Sequence, residues 1–166
     1  MISRPFSSIL FAAFLTGCSK SSTTTTDSVT NSIASEEIVI HPDTFESSIG
    51  GFLGASFRVE LQSDGLLLYQ HNPETFTSAP GTKSQRIKVT VDQWRDFRKA
   101  LNEANVWTWK KDYTNPNVSD GTQWDLRIKY TDASVISIGS NAFPPNRDFE
   151  RFRAAVVKLL GGHEFQ

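Results

Sequence analysis

The chain has 166 residues and is poor in the side chains most used for covalent, redox and transition-metal chemistry: one cysteine, one methionine and three histidines. Cys18 has no second cysteine to pair with, so a disulfide within the chain is excluded, and so is a thiolate metal cluster. Charge of one sign is missing too. Seventeen Lys and Arg stand against 18 Asp and Glu, for a formal charge of −1. That near-neutral balance has no basic stripe for nucleic acid or for an anionic membrane surface. Long apolar runs are absent: Phe6 to Leu15 is the clearest, and its length of about ten residues is half of the roughly 20 a membrane-spanning helix needs. There is also no phosphate-binding glycine loop, dinucleotide fingerprint, nucleophile elbow or paired-histidine zinc motif. No cofactor and no metal are expected.

What is present begins at the N-terminus. Arg4 supplies a positive charge, Phe6 to Leu15 an apolar core broken by Ser7 and Ser8, and Thr16 and Gly17 two small residues. These are the three parts of a secretory signal. Leu15-Thr16-Gly17-Cys18 resembles the lipobox of bacterial lipoproteins: an aliphatic residue, two small ones and the cysteine. The resemblance implies that residues 1–17 are removed. Cys18 would then be the lipidated first residue, with a diacylglyceryl thioether and usually a third acyl chain such as palmitate. Two or more chains hold a protein stably on a membrane, where one binds reversibly. The implied location is the bacterial cell envelope. Ser19 after the cysteine resembles outer-membrane-directed examples in Gram-negative hosts.

Residues 18–35 read as a lipidated cysteine followed by a tether. From Ser19 to Ser35, 11 of 17 residues are Ser or Thr. Such a tract has too little apolar surface to offset the entropy of ordering, so it is expected to be disordered. A flexible chain of that length spans about 25 Å. Residues 36–166 read as one α+β domain, an ordinary size for a single core.

Ile38-Val39-Ile40 reads as a short strand. Phe57, Val59 and Leu61 alternate with Arg58, Glu60 and Gln62, the pattern of a half-buried strand. Ser63-Asp64-Gly65 turns the chain and Leu66 to Tyr69 returns as the hairpin partner. After a polar loop from His71 to Ser84, Ile87, Val89 and Val91 alternate again. Thr90 and Gln93 have capping-box spacing, opening a helix with Trp94, Phe97 and Leu101 on one face. The second half repeats the plan. Trp124, Leu126, Ile128 and Tyr130 alternate with Asp125, Arg127 and Lys129, and Val135 to Ile138 return. Asn146 is placed to cap a last helix with Phe149, Phe152, Val156 and Leu159 on its stripe, stopped by Gly161-Gly162. The predicted fold is α+β: an antiparallel sheet of about five strands with two amphipathic helices on one face, in the order hairpin, helix, hairpin, helix. The other face would carry Arg58, Glu60, Lys88, Asp125, Arg127 and Lys129, solvated or used for binding.

Asp120-Gly121 leading into Trp124, then Gly139-Ser140-Asn141 with Pro144 or Pro145 ahead of Phe149 and Phe152, resembles uncharacterised domains of bacterial secreted proteins and lipoproteins. The resemblance covers residues 55–160. Its motif is of a packing kind and implies no activity.

Trp107, Trp109 and Tyr113 are the candidate binding residues. On an extended segment both tryptophans would share one face, and with Lys110 and Lys111 nearby they could stack on a sugar ring or grip a protein. Alternatively they seal the helix end against the sheet. Asn115 to Gly121 has the alternating oxygens of a calcium loop, but the glycine is one place late and Leu126 stands where the bidentate Glu belongs; a polar turn is simpler. Gly50-Gly51-Phe52-Leu53-Gly54 reads as a bulge or flexible lip. His41, His71 and His163 are scattered. The function expected is a non-catalytic binding module held on the membrane by acyl chains at Cys18, with an envelope protein or glycan as partner and no nucleic acid. One alternative is an enzyme acting on an envelope polymer with acid–base carboxylates among Asp64, Asp112, Asp120 and Asp125. The other is a structural envelope lipoprotein.

Overall fold

The computed structural model describes residues 40–51, 53–118 and 120–166. The signal, Cys18 and the tether lie outside the described residues, as do Ile38 and Val39. Ile40 is not in a strand. The strands are β1 (Thr44–Gly50), β2 (Ser56–Leu61), β3 (Leu67–Asn72), β4 (Lys83–Ile87), β5 (Asp112–Thr114), β6 (Gln123–Lys129) and β7 (Ser134–Ser140). Helix α1 (Val91–Glu103) follows β4 and leads into a 3-10 turn at Val106–Thr108; helix α2 (Asp148–Leu159) follows β7.

All seven strands join one sheet in the order β4-β3-β2-β1-β6-β7-β5. Every pairing is antiparallel except β5 against β7. The fold is therefore α+β with a mostly antiparallel sheet, but seven strands replace the five expected. The order also differs. A lone β1 precedes the β2-β3-β4 meander, and the edge strand β5 precedes the second hairpin. β1 is hidden in the sequence because Ser47 occupies a core position, breaking the apolar alternation of Phe45 and Ile49. The buried Ser47 hydroxyl is accommodated by donating to the Asp125 carbonyl at 2.7 Å. β5 has three residues, too few for any period, and is parallel to β7. Beside it, the Ser137 hydroxyl donates to the Lys110 carbonyl at 2.7 Å.

The register sets one face from alternate residues: Phe45, Ile49, Phe57, Val59, Leu126 and Ile128, all buried. Both helices reach it, Trp94 and Phe97 of α1 against Phe45 and Phe149 of α2 against Trp124. The α1 capping box forms as read. Thr90 Oγ1 accepts from the Gln93 amide at 3.2 Å, and Gln93 Oε1 accepts from the Thr90 amide at 2.9 Å. The cap of α2 does not. Arg147, not Asn146, is its N-cap, in left-handed conformation (φ 64) with no side-chain cap bond. At the other end the Gly162 amide donates back to the Val157 carbonyl at 2.9 Å with φ 69 at Gly161, a Schellman stop. The chain is still structural beyond it. Phe165 is buried against Phe57, and the Tyr69 hydroxyl donates to the Glu164 carbonyl at 2.9 Å. Among the described residues no helix is long and apolar enough to cross a membrane.

Candidate functional site

The face of the sheet away from the helices carries two polar rows fixed by register. One runs Glu60, Glu46, Arg127, Ile136; the next Arg58, Ser48, Asp125, Ile138. Arg58, Glu60, Asp125, Arg127 and Lys129 lie here as expected, while Lys88 lies past the end of β4. Glu46 holds Arg58 at 2.7 Å and Arg127 at 3.1 Å, and Glu60 holds Arg58 at 3.2 Å. Asp125 accepts from the Ser48 hydroxyl, but its Oδ1 is buried without a hydrogen-bond partner. Burial pushes the Asp125 carboxyl above the ordinary carboxylate range, and the Ser48 bond opposes that rise. Ile136 (57 % exposed) and Ile138 (40 %) sit beside this cluster on β7. Glu46 and Glu60 are thus matched by Arg58 and Arg127 within the face.

The four aspartates proposed for acid–base work are not gathered. Asp64, at the β2–β3 turn, is paired with Arg86; Asp112 accepts from the Thr114 amide at 2.7 Å on the edge strand; Asp120 is exposed in a loop. None of them lines the cavities described below.

The extended segment that would set Trp107 and Trp109 on one face is not formed, because the 3-10 turn rotates them apart. Trp109 is 8 % exposed, its ring among Trp124, Phe149 and Phe152 and its Nε1–H donating to the Ala104 carbonyl at 3.2 Å. Trp107 is half-buried elsewhere. Its Nε1–H donates to Asn102 at 2.6 Å, its ring meets Tyr130 edge-on, and the Arg98 guanidinium lies 4.4 Å from its ring centre. Tyr113 is half-buried, tilted against Trp124, and its hydroxyl accepts from the Lys110 amide at 3.0 Å.

Two of the three candidates do converge. Trp109 and Tyr113 line one hollow of about 520 Å³ with Asn105, Lys110, Asn146 and Asp148. Asn105 follows α1 in left-handed conformation (φ 50), and Asn146 has φ 57. Asparagine tolerates that region better than most residues. Asn105 Nδ2 donates to the buried Asp148 carboxylate at 3.3 Å, and Arg151 pairs with it at 3.1 Å. The aspartate is thus held in place as a fixed acceptor. Asn105 and Asn146 carried no periodic signal in the sequence; their placement depends on the end of α1 meeting the entry of α2.

Other candidates resolve locally. Asn115 Oδ1 accepts from the Asn117 amide at 3.1 Å, a polar turn. His71 stacks on Phe57 and His163 tilts against Tyr69, beside a second cavity of about 370 Å³. Among the described residues no group of three or more His, Cys, Asp or Glu is placed to hold a metal.

The residues behind the motif of Asp120 to Phe152 interlock. Trp124 lies over Gly139, where an added Cβ would sit closer than 3.0 Å to the indole, and its Nε1–H donates to the Ala142 carbonyl at 2.9 Å. Gly121 leaves the same kind of room for Asn141, whose amide donates to the Thr122 carbonyl at 2.9 Å. The motif is thus a packing device that shapes the loop entering α2.

Residues 54–159 match a family model described as a domain of unknown function, DUF6438, and the chain belongs to that family. No curated protein matches the chain.

Proposed function

We propose that this member of the DUF6438 family is a non-catalytic binding module, anchored to a bacterial envelope membrane through acyl chains on Cys18, that takes an envelope glycan in the hollow of Trp109 and Tyr113. The observation that carries the reading is the composition of that hollow. Aromatic surface, two asparagine amides and a fixed carboxylate acceptor meet in about 520 Å³. Sugars offer apolar C–H faces and a rim of hydroxyls, so aromatic contact with a few convergent amides and acceptors suits them. The Ser/Thr tether and lipobox support display close to the membrane. Ser19 after the lipidated cysteine favours the outer membrane in a Gram-negative host.

The test is titration of the full chain carrying Cys18→Ser, which cannot be acylated, with oligosaccharide fragments of bacterial cell wall. Tyr113→Ala and Asn146→Gly are the variants. Asn146→Gly keeps the left-handed backbone and removes only the amide. Each is expected to weaken binding at least tenfold, on the scale of one lost buried contact, with melting temperature little changed for Asn146→Gly and lowered for Tyr113→Ala, which also gives up its packing on Trp124. Undiminished binding by both variants would remove the hollow as the site.

A further inference from the structure

We propose a second site, on the other side of the Pro144–Arg147 segment, that takes a small amphiphilic monoanion: a carboxylate on a flat ring or short acyl chain. It is independent of the glycan reading, since it uses a separate hollow and opposite chemistry. The hollow holds about 290 Å³, room for roughly ten waters. Its apolar wall is Ile49, Phe143, Pro144 and Phe149. Ile49 and Phe149 are buried core residues, so the wall is rigid; Phe143 is 44 % exposed although it packs 4.8 Å from Phe149 and nearly parallel to Trp124. An apolar ligand laid on Phe143 would take that ring out of water.

The charge at the rim selects the ligand's head. Arg147 and Glu150 line the hollow and neutralise each other at 2.6 Å. Arg153 is the cation left over. It is half-buried, its Nε–H donates to the Phe165 carbonyl at 3.3 Å, and no ion pair holds it among the described residues. Tying Nε to a main-chain carbonyl fixes the guanidinium plane and leaves the two terminal nitrogens to donate. Two parallel N–H donors are the fork that a carboxylate fits. Of the acidic groups nearby, Glu150 is taken by Arg147, Glu164 lines the adjoining cavity of about 480 Å³ that Arg153 also borders but not this hollow, and the terminal residue Gln166 lines the hollow without an ion pair to Arg153. A ligand with one negative charge is therefore matched, and one with a neutral head is not.

The experiment titrates octanoate, with octanol as the neutral control, into the isotopically labelled full chain carrying Cys18→Ser. Expected are saturable 1:1 binding and amide shifts centred on Thr122, Phe143, Phe149 and Arg153, with octanol at least tenfold weaker. Arg153→Gln should lose at least tenfold for octanoate and leave octanol unchanged, while Phe143→Ser should weaken both. Octanoate binding that equals octanol, shifts scattered over the surface, or no saturation by millimolar ligand would each overturn the proposal, and the wild-type shift map decides even if a variant fails to fold.

Discussion

Trp107 and Trp109 stand two positions apart and differ in what surrounds them. Trp109 is enclosed by three aromatic rings and its indole N–H is satisfied inside the fold. Truncating it leaves a cavity and orphans the Ala104 carbonyl. Trp109→Ala should cost about 3–5 kcal/mol in urea unfolding. Trp107 contributes an edge contact with Tyr130 and a cation–π contact with Arg98 at the surface. Trp107→Ala should therefore cost about 1–2 kcal/mol. Equal losses for the two variants would contradict this placement. The side-chain chemistry of both was legible in the sequence. Their burial was not, because it depends on a 3-10 turn that no periodic pattern announces.

At the scale of elements, legibility followed periodicity. β2 and β6 alternate cleanly because each buries one face only, and α1 was readable from its capping box and apolar stripe. β1 was not readable, since a core serine with a main-chain partner looks like a solvent residue in sequence. The β6–β7 hairpin supplies the sharpest test. Trp124 occupies the space above Gly139, so Gly139→Ala drives a methyl into the indole. Strands hold alanine easily, and without that clash the change would be harmless or mildly favourable. Here overpacking should cost about 3 kcal/mol and be read as a lower urea midpoint with a changed tryptophan emission. A neutral outcome would show that Trp124 does not lie over β7. The candidate hollow belongs to this scale as well. It forms where the end of α1, the exit segment and the entry to α2 meet, and Asn105 and Asn146 are more than forty positions apart.

For the whole molecule, the chain divides into a sheet covered on one side by helices and an N-terminal region whose reading rests on sequence. If Cys18 carries the acyl chains, Cys18→Ser should move the protein from the membrane fraction to the soluble fraction of fractionated cells, because no apolar span replaces them. Retention on the membrane would point to another anchor. By itself the sequence determined the periods of β2, β6 and the helices, the α1 cap, the polar face of the sheet and the single cysteine at position 18. Those are local properties, set by neighbours within about one helical turn or one hairpin. Only the tertiary structure decided the seven-strand order, the enclosure of Trp109, the pairing of Glu46 with two arginines, and the placing of Arg153, without an ion pair among the described residues, in one hollow with an exposed phenylalanine. Each of these depends on which distant segments share space, and burial and charge pairing follow from that proximity, not from spacing along the chain.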